Sequence, residues 1–307
     1  MAKIKFVTSY YMDITEFTNN RWIGSYPSRK QRYLASIIYH CKNFPNYEVV
    51  CYTHQISFPE IEKIKIDYDI SNLTIKIKEL NDIKYTNQVN SVIDSLPDYM
   101  ERFGLSGRPP QVMWGKFDLM REESTNTVDY LYWIDAGLQS VVLFPIRYNP
   151  NMNDEDFLTS FDKLSNFGLL FNETLINKLT NNSNDKFVTL LTNYAQDTYY
   201  SLEGNNTKYG NYPIAGFFGG EKKAVLEYCD YFDNAVDVFI RNNILCFEQT
   251  IMKYVTDLIP LEKLHVLYFD THAIGLTEQE FHYDKWDSNK NLPKPIWRIW
   301  EEIRDNN

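Results

Sequence analysis

The feature of this sequence that most constrains its fold is the run Asp129–Leu138, which reads Asp-Tyr-Leu-Tyr-Trp-Ile-Asp-Ala-Gly-Leu. It predicts a buried apolar strand that ends on one acidic side chain, Asp135. A buried carboxylate is costly unless it is paired, hydrogen-bonded or bound to a metal, and open α/β sheets bind ligands outside the carboxyl ends of their strands. The small residues that follow let the backbone approach a bound group. The pattern indicates either a nucleotide-sugar diphosphate held through a metal at Asp135, or a carboxylate that caps the next turn.

The order of the apolar segments predicts an α/β domain with a parallel sheet. Ile4–Ser9 is a short β-rich run, residues 27–41 place their apolar side chains at helical spacing, and Glu48–Thr53 is the next predicted strand. A strand, a helix and a strand within about fifty residues are typical of a βαβ unit. The remaining predicted segments are strands at 73–78, 129–135, 214–220 and 264–269, and helices at 112–121, 221–240 and 246–258.

Composition limits the class of protein and the kinds of partner. A chain of 307 residues with 44% hydrophobic content can form one large core, and its net charge of -10 argues against broad nucleic-acid binding. No apolar stretch approaches the roughly 18 residues of a membrane-crossing helix, and the first apolar run is too short for a signal peptide. A cytoplasmic protein is therefore predicted. Its four scattered cysteines are expected to be reduced core residues: Cys41, Cys51, Cys229 and Cys246.

Basic side chains that follow the first predicted strand are candidates for binding a diphosphate. Arg21, Arg29, Lys30 and Arg32 occur where a parallel sheet would place its ligand crevice. Arginine pairs well with phosphate oxygens. The alternative for each of these residues is a solvated helix face.

Lys116 and a group of glycines are further candidates for contacts with a nucleotide. Lys116 lies on the predicted helix that leads to the Asp135 strand, although it could equally be a surface lysine beside a packed Trp114. Gly216, Gly219 and Gly220 lie at a predicted strand-to-helix junction, where backbone can approach a ligand and a helix N-terminus favours anions. A plain tight turn is the other interpretation. Neither a GxGxxG nor a GxxxxGK[ST] motif is present.

Two later segments supply candidates for proton transfer and metal binding. Glu248, followed by Gln249, opens a predicted helix and could act as a general base on an acceptor hydroxyl, or it could simply favour the helix dipole. His272 or Asp270 could complete a metal shell whose first ligand is Asp135, because Mn²⁺ accepts oxygen and nitrogen donors; a surface loop is the alternative. The other four histidines are isolated and predicted to be structural or solvent-facing: His40, His54, His265 and His282.

Several of these motifs, taken in order over residues 4–272, resemble the HtrL/YibB family of bacterial and viral proteins associated with surface-glycan genes. The chain is similar more distantly to glycosyltransferases of the GT-A fold. The motifs that carry the resemblance are Thr8-Ser-Tyr-Tyr-Met-Asp-Ile14, Trp114-Gly-Lys-Phe117, Tyr132-Trp-Ile-Asp-Ala-Gly-Leu138, Ile214-Ala-Gly-Phe-Phe-Gly-Gly220 and Phe247-Glu-Gln-Thr250.

The resemblance implies a GT-A-like, Rossmann-related mixed sheet flanked by helices over residues 1–275, with residues 276–307 as a tail that packs on the domain or is partly extended. It also implies a hexosyltransferase that uses a UDP-sugar or similar donor and a divalent metal, Mn²⁺ or Mg²⁺. The acceptor would be a glycan, a lipid-linked acceptor or another hydroxyl in surface polysaccharide or lipopolysaccharide synthesis. The predicted base is Glu248, the predicted metal ligands are Asp135 and His272, and the predicted donor contacts are Arg29, Lys116, Asp135, Gly137, Gly219 and Gly220.

The chain departs from the GT-A pattern at the metal motif. It has Asp-Ala-Gly from Asp135 to Gly137 where many members carry Asp-x-Asp, so a second carboxylate is missing. A non-catalytic carbohydrate- or nucleotide-binding protein on a degenerate transferase scaffold is therefore a second hypothesis, with which the 16% aromatic content is compatible. A nucleotidyltransferase is less favoured, because no early glycine follows Ser9.

Overall fold

A seven-stranded mixed sheet forms the centre of the protein. The computed structural model describes residues 2–11, 29–95, 110–137, 173–192, 212–246 and 248–268. Within these ranges the strands are β1 (Ile4–Tyr10), β2 (Glu48–Thr53), β3 (Leu73–Ile77), β4 (Tyr130–Ile134), β5 (Phe187–Thr192), β6 (Tyr212–Glu221) and β7 (Leu264–Tyr268). The helices are α1 (Arg29–Asn43), α2 (Phe58–Asp67), α3 (Thr86–Ser95), α4 (Pro110–Glu122), α5 (Glu173–Asn182), α6 (Lys222–Arg241) and α7 (Glu248–Leu258).

The strand order places a topological switch beside β4. The order across the sheet is β3-β2-β1-β4-β6-β5-β7. β1 pairs in parallel with both β2 and β4, whereas β6 runs antiparallel to both of its neighbours, β4 and β5. The chain moves outward from β1 through β2 to β3 and then returns to the other side of β1 as β4. In sheets of this kind ligands bind outside the carboxyl ends of the strands where the order reverses, which here is between β1 and β4.

Helices cover both faces of the sheet, and this explains the continuous apolar run in β4. On one face Tyr132 and Ile134 pack with α1, α2 and α5, and on the other Leu131 and Trp133 pack with α3, α4, α6 and α7. All four side chains are fully buried. A strand with a helix layer on each side has no polar face, so it lacks the alternation of a half-exposed strand.

The predicted fold class is confirmed: a central mixed sheet is flanked by helices, and the strands expected near 4–9, 48–53, 129–135 and 264–269 all belong to it. The four cysteines are free and buried, as expected. β5, α2, α3 and α5 have no counterpart among the predicted segments. The predicted tail at 276–307 lies outside the described residues.

Two glycines of β6 are required by strand packing. Gly219 and Gly220 have φ angles of +150° and +133°, a region that side chains disfavour. A Cβ on Gly219 would lie 2.1 Å from the carbonyl oxygen of Leu131, and one on Gly220 would lie 2.6 Å from the carbonyl oxygen of Lys186. Backbone cannot yield as the end of a side chain can, so both positions demand glycine.

Replacing Gly219 with alanine is expected to lower the free energy of unfolding by about 3 kcal/mol or more, since it adds backbone strain to a clash with β4. Urea denaturation of the purified variant measures this. Gly115→Ala, inside α4, is the matched control, because the atoms nearest to its added Cβ belong to the side chain of Ile83, the first at 2.4 Å, and not to backbone. Equal losses in the two variants would contradict the proposed role of the β4 backbone.

Candidate functional site

Asp135 lies directly after β4, at the carboxyl edge of the sheet and beside the switch point. This is the position predicted from the sequence. Its side chain is 37% exposed, whereas the four residues before it are fully buried. The chain therefore brings one carboxylate from the core to the edge where a ligand would bind.

Four contacts hold Asp135 in place. Its backbone N–H donates to the carbonyl oxygen of Gly216 at 2.8 Å, and its own carbonyl oxygen accepts from Nε2 of His40 at 3.1 Å. Its Oδ1 accepts from Nε1 of Trp133 at 2.7 Å and from Nζ of Lys116 at 2.8 Å. Within the described part of the chain, Oδ2 has no hydrogen-bond or ion-pair partner. Oδ2 is therefore the oxygen with which Asp135 can bind a ligand.

Lys116 is buried in the core, and its ammonium group is fully engaged. Nζ donates to Oδ1 of Asp135 at 2.8 Å, to Oε1 of Glu248 at 2.7 Å and to the carbonyl oxygen of Ala215 at 3.0 Å. An ammonium group has three protons, so each one has a partner. Burial alone would lower the pKa of Lys116, but Asp135 and Glu248 outweigh it and raise the pKa above its ordinary value. A phosphate could contact Lys116 only by replacing one of these three bonds.

Glu248 opens α7 and shares the ammonium group of Lys116 with Asp135. Its side chain is only 8% exposed, and its position in the first helical turn also satisfies the helix dipole. The structure thus joins three residues that the sequence singled out separately, and we call them the Asp135–Lys116–Glu248 cluster. Two carboxylates and one ammonium leave this cluster with one net negative charge, which favours a cationic partner.

Gly137 lies near the cluster, and packing accounts for it. A Cβ at this position would lie 2.4 Å from Cε1 of Tyr33 in α1. The glycine therefore lets α1 pack closely against the turn that follows Asp135. Its predicted contact with a donor stays a prediction.

The structure does not bring Gly219 and Gly220 to Asp135, and their predicted contact with a donor stays a prediction. They pair with Tyr132 and Leu131, three and four residues before Asp135. At about 3.3 Å per residue, this puts Gly220 roughly 13 Å along the strand from Asp135. Because β6 runs antiparallel to β4, its end and the start of α6 lie toward the opposite edge of the sheet from Asp135.

Metal binding can be judged at only one of the two predicted ligands. His272 and its alternative Asp270 lie outside the described residues, and of the predicted donor contact Arg29 only the backbone, at the start of α1, is described. No group of three metal-ligating side chains occurs among the described residues. Oδ2 of Asp135 is a hard oxygen ligand of the kind that Mg²⁺ and Mn²⁺ prefer, so the described residues fit a metal held by one protein ligand, with other ligands supplied from elsewhere.

The sequence analysis missed two contacts of Asp135, those of Trp133 and His40. His40 was expected to be an isolated histidine, either structural or solvent-facing, and its full burial fits the first alternative. Burial lowers the pKa of His40 to about 4, although the hydrogen bond to the Asp135 carbonyl group acts in the opposite direction. Its position in α1, three residues after the buried Ile37, was a usable signal of burial.

Comparison with known proteins assigns the chain to no family. No family model matches the chain, and no curated protein matches it, so the resemblance to the HtrL/YibB family stays a prediction. Among solved structures it is similar to a 4-diphosphocytidyl-2C-methyl-D-erythritolsynthase from Anaerococcus prevotii DSM 20548, with 10% identity and a TM-score of 0.40 over 94% of this chain and 95% of that chain. So low a similarity does not indicate what this chain binds. None of the described helices is both long and apolar enough to cross a membrane.

Proposed function

We propose that this protein is a glycosyltransferase that moves a sugar from a nucleotide-sugar donor, a UDP-sugar in the first instance, to a hydroxyl group of a glycan or lipid-linked acceptor. Surface polysaccharide or lipopolysaccharide synthesis in the cytoplasm is the proposed setting. The observation that carries the proposal is the Asp135–Lys116–Glu248 cluster at the carboxyl end of β4. The proposal is supported by the partly exposed carboxylate of Asp135 and the buried carboxylate of Glu248, which lie together at the edge where open α/β sheets bind ligands.

Asp135 would bind the donor through Oδ2. Its Oδ1 is fixed by Trp133 and Lys116, so the carboxylate has little freedom to reorient. We propose that Asp135, with His272 or Asp270 as a further ligand, would hold a divalent cation, Mn²⁺ or Mg²⁺, for binding of the donor diphosphate. When bound, such a cation neutralises charge that develops on the leaving diphosphate.

Glu248 is the proposed general base. Its Oε1 is held by Lys116, which leaves Oε2 to accept the proton of the acceptor hydroxyl as the new glycosidic bond forms. A sugar hydroxyl is a weak acid, so a positioned carboxylate assists its attack. The 8% exposure of the Glu248 side chain fits a base that acts in a site largely closed to water.

The test of the proposed donor site is the substitution Asp135→Asn. The amide oxygen can still accept from Trp133 and Lys116, so the fold should be kept, while the charge at Oδ2 is lost. Binding of UDP in the presence of Mn²⁺, measured by calorimetry, is expected to weaken about 10- to 100-fold. Asp129→Asn is the matched control: Asp129 precedes the same strand, is exposed, and accepts from the backbone N–H of Lys3 at 2.8 Å. Unchanged affinity in Asp135→Asn would refute the ligand role.

A non-catalytic protein that binds a carbohydrate or nucleotide is the second candidate. Two observations favour it. The Asp-Ala-Gly motif has a single carboxylate, and all three protons of the Lys116 ammonium group are already bonded within the protein, as they would be if the cluster only stabilised the fold. Release of UDP from UDP-sugars in the presence of Mn²⁺ separates the two. A transferase hydrolyses its donor slowly when no acceptor is present, whereas a binding protein leaves it intact.

A further inference from the structure

The contact between His40 and Asp135 joins a buried imidazole to a main-chain carbonyl group. The two residues are 95 positions apart, and Nε2 lies 3.1 Å from the carbonyl oxygen. A carbonyl oxygen can only accept, so Nε2 carries the proton and Nδ1 is the unprotonated nitrogen. The hydroxyl group of Ser36, one helical turn earlier, lies 3.3 Å from the same Nε2 and can share its proton.

The other ring nitrogen shows that this arrangement has a cost. Nδ1 of His40 is buried and has no hydrogen-bond partner among the described residues. A buried polar atom without a partner destabilises the folded state, and an apolar residue of similar size would avoid the penalty. An imidazole is therefore unfavourable here for packing alone, and its contribution must lie in the bond that Nε2 makes.

The carbonyl group of Asp135 needs such a donor, because the strand ladder has ended. β1 pairs with β4 from Ile4 opposite Tyr130 to Val7 opposite Trp133. The hydrogen bond from the N–H of Asp135 to the carbonyl oxygen of Gly216 extends the pairing of β4 with β6 by one residue. The main-chain carbonyl oxygen of Asp135 accepts from His40 in α1 and not from a strand.

We infer that His40 is a positioning residue, which fixes the main chain of Asp135 and so holds its carboxylate in the orientation for binding the donor. The inference rests on the proposed function of Asp135. With Gly216 holding the backbone N–H, His40 the carbonyl oxygen, and Trp133 and Lys116 the side chain, only Oδ2 is left to a ligand. A displacement of about 1 Å at a reacting centre can cost roughly 10²-fold in rate, so a small shift of the Asp135 carboxylate would be enough to affect function.

Three substitutions test the role of the Nε2 donor. His40→Gln keeps an N–H group near the position of Nε2, His40→Asn moves it to the position of Nδ1, and His40→Phe removes it at similar volume. UDP affinity in the presence of Mn²⁺ is expected to fall about 10- to 100-fold in His40→Phe and His40→Asn, as for other residues that orient a ligand-binding group. His40→Gln should stay within a few-fold of the wild type.

The indole N–H of Trp133 supplies a readout that needs no ligand. Because it donates to Oδ1 of Asp135, its ¹⁵N–¹H resonance reports the carboxylate position; the signal is assigned with Trp133→Phe. It should shift in His40→Phe and His40→Asn and stay near the wild-type position in His40→Gln. If wild-type protein fails to bind UDP, the proposed function is wrong, but the indole signal still decides the role of His40. Equal behaviour of His40→Gln and His40→Asn in that signal would overturn the inference.

Discussion

Replacing Lys116 with methionine is expected to lower the free energy of unfolding by about 3–5 kcal/mol at pH 7, because it leaves two carboxylates without their buried cation. The raised pKa of Lys116 means that its stabilising contribution is fully present below the ordinary lysine value of 10.5 and is lost only as the pH rises beyond it. Urea denaturation measures the loss.

Two further variants make this result specific to the cluster. Lys63→Met removes the same charge from an exposed pair with Asp67, whose side chains are 73% and 45% exposed, and should cost at most about 1 kcal/mol. Adding Glu248→Gln to Lys116→Met should recover part of the loss, because one unpaired charge is removed. If Lys116→Met proved as stable as Lys63→Met, the buried ion pairs would not exist in solution.

Replacing Glu248 with glutamine is expected to reduce turnover by about 10²- to 10⁴-fold while UDP affinity stays unchanged. The amide oxygen can still accept from Lys116, so the change isolates proton transfer from packing. Steady-state kinetics with a confirmed acceptor give the turnover, and calorimetry gives the affinity. Glu227→Gln is the control. Glu227 lies on α6, is half-exposed and pairs with Lys263, so its replacement should leave turnover and UDP affinity unchanged. Turnover near the wild-type level in Glu248→Gln would exclude Glu248 as the base and favour a retaining reaction that needs none.

Much of the sheet was predictable because its strands carry strong local signals. β1, β2 and β4 are apolar runs, and the acidic residue at the end of β4 was enough to locate Asp135 at the sheet edge. The direction of β6 was not predictable in the same way. A strand has the same alternation of side chains whether it runs parallel or antiparallel, so the sequence of Gly219 and Gly220 could not show that they lie away from Asp135.

The inner part of the candidate site was harder to predict because its partners are distant in sequence. Lys116 occupies a helix position where lysine is normally a surface residue, and nothing nearby indicates that it meets Ala215 and Glu248, 99 and 132 residues later. His40 contacts a backbone oxygen, and because every residue has one, the partner's residue type does not reveal the contact. Residue patterns therefore identified the three side chains of the cluster separately, but not the contacts that join them or the contact of His40 with Asp135.

The wide spacing of these contacts has a consequence for protein synthesis. His40 belongs to the helix layer on one face of the sheet, and Lys116 and Glu248 belong to the layer on the other face. The hydrogen bonds and ion pairs around Asp135 are therefore complete only after both layers have packed. While residue 248 of a nascent chain is still inside the ribosome, Lys116 lacks Glu248, one of its two carboxylate partners. Contacts of such long range also form slowly. The proposed binding site should thus form late, when α7 docks, and translation products truncated before residue 248 should lack the complete cluster.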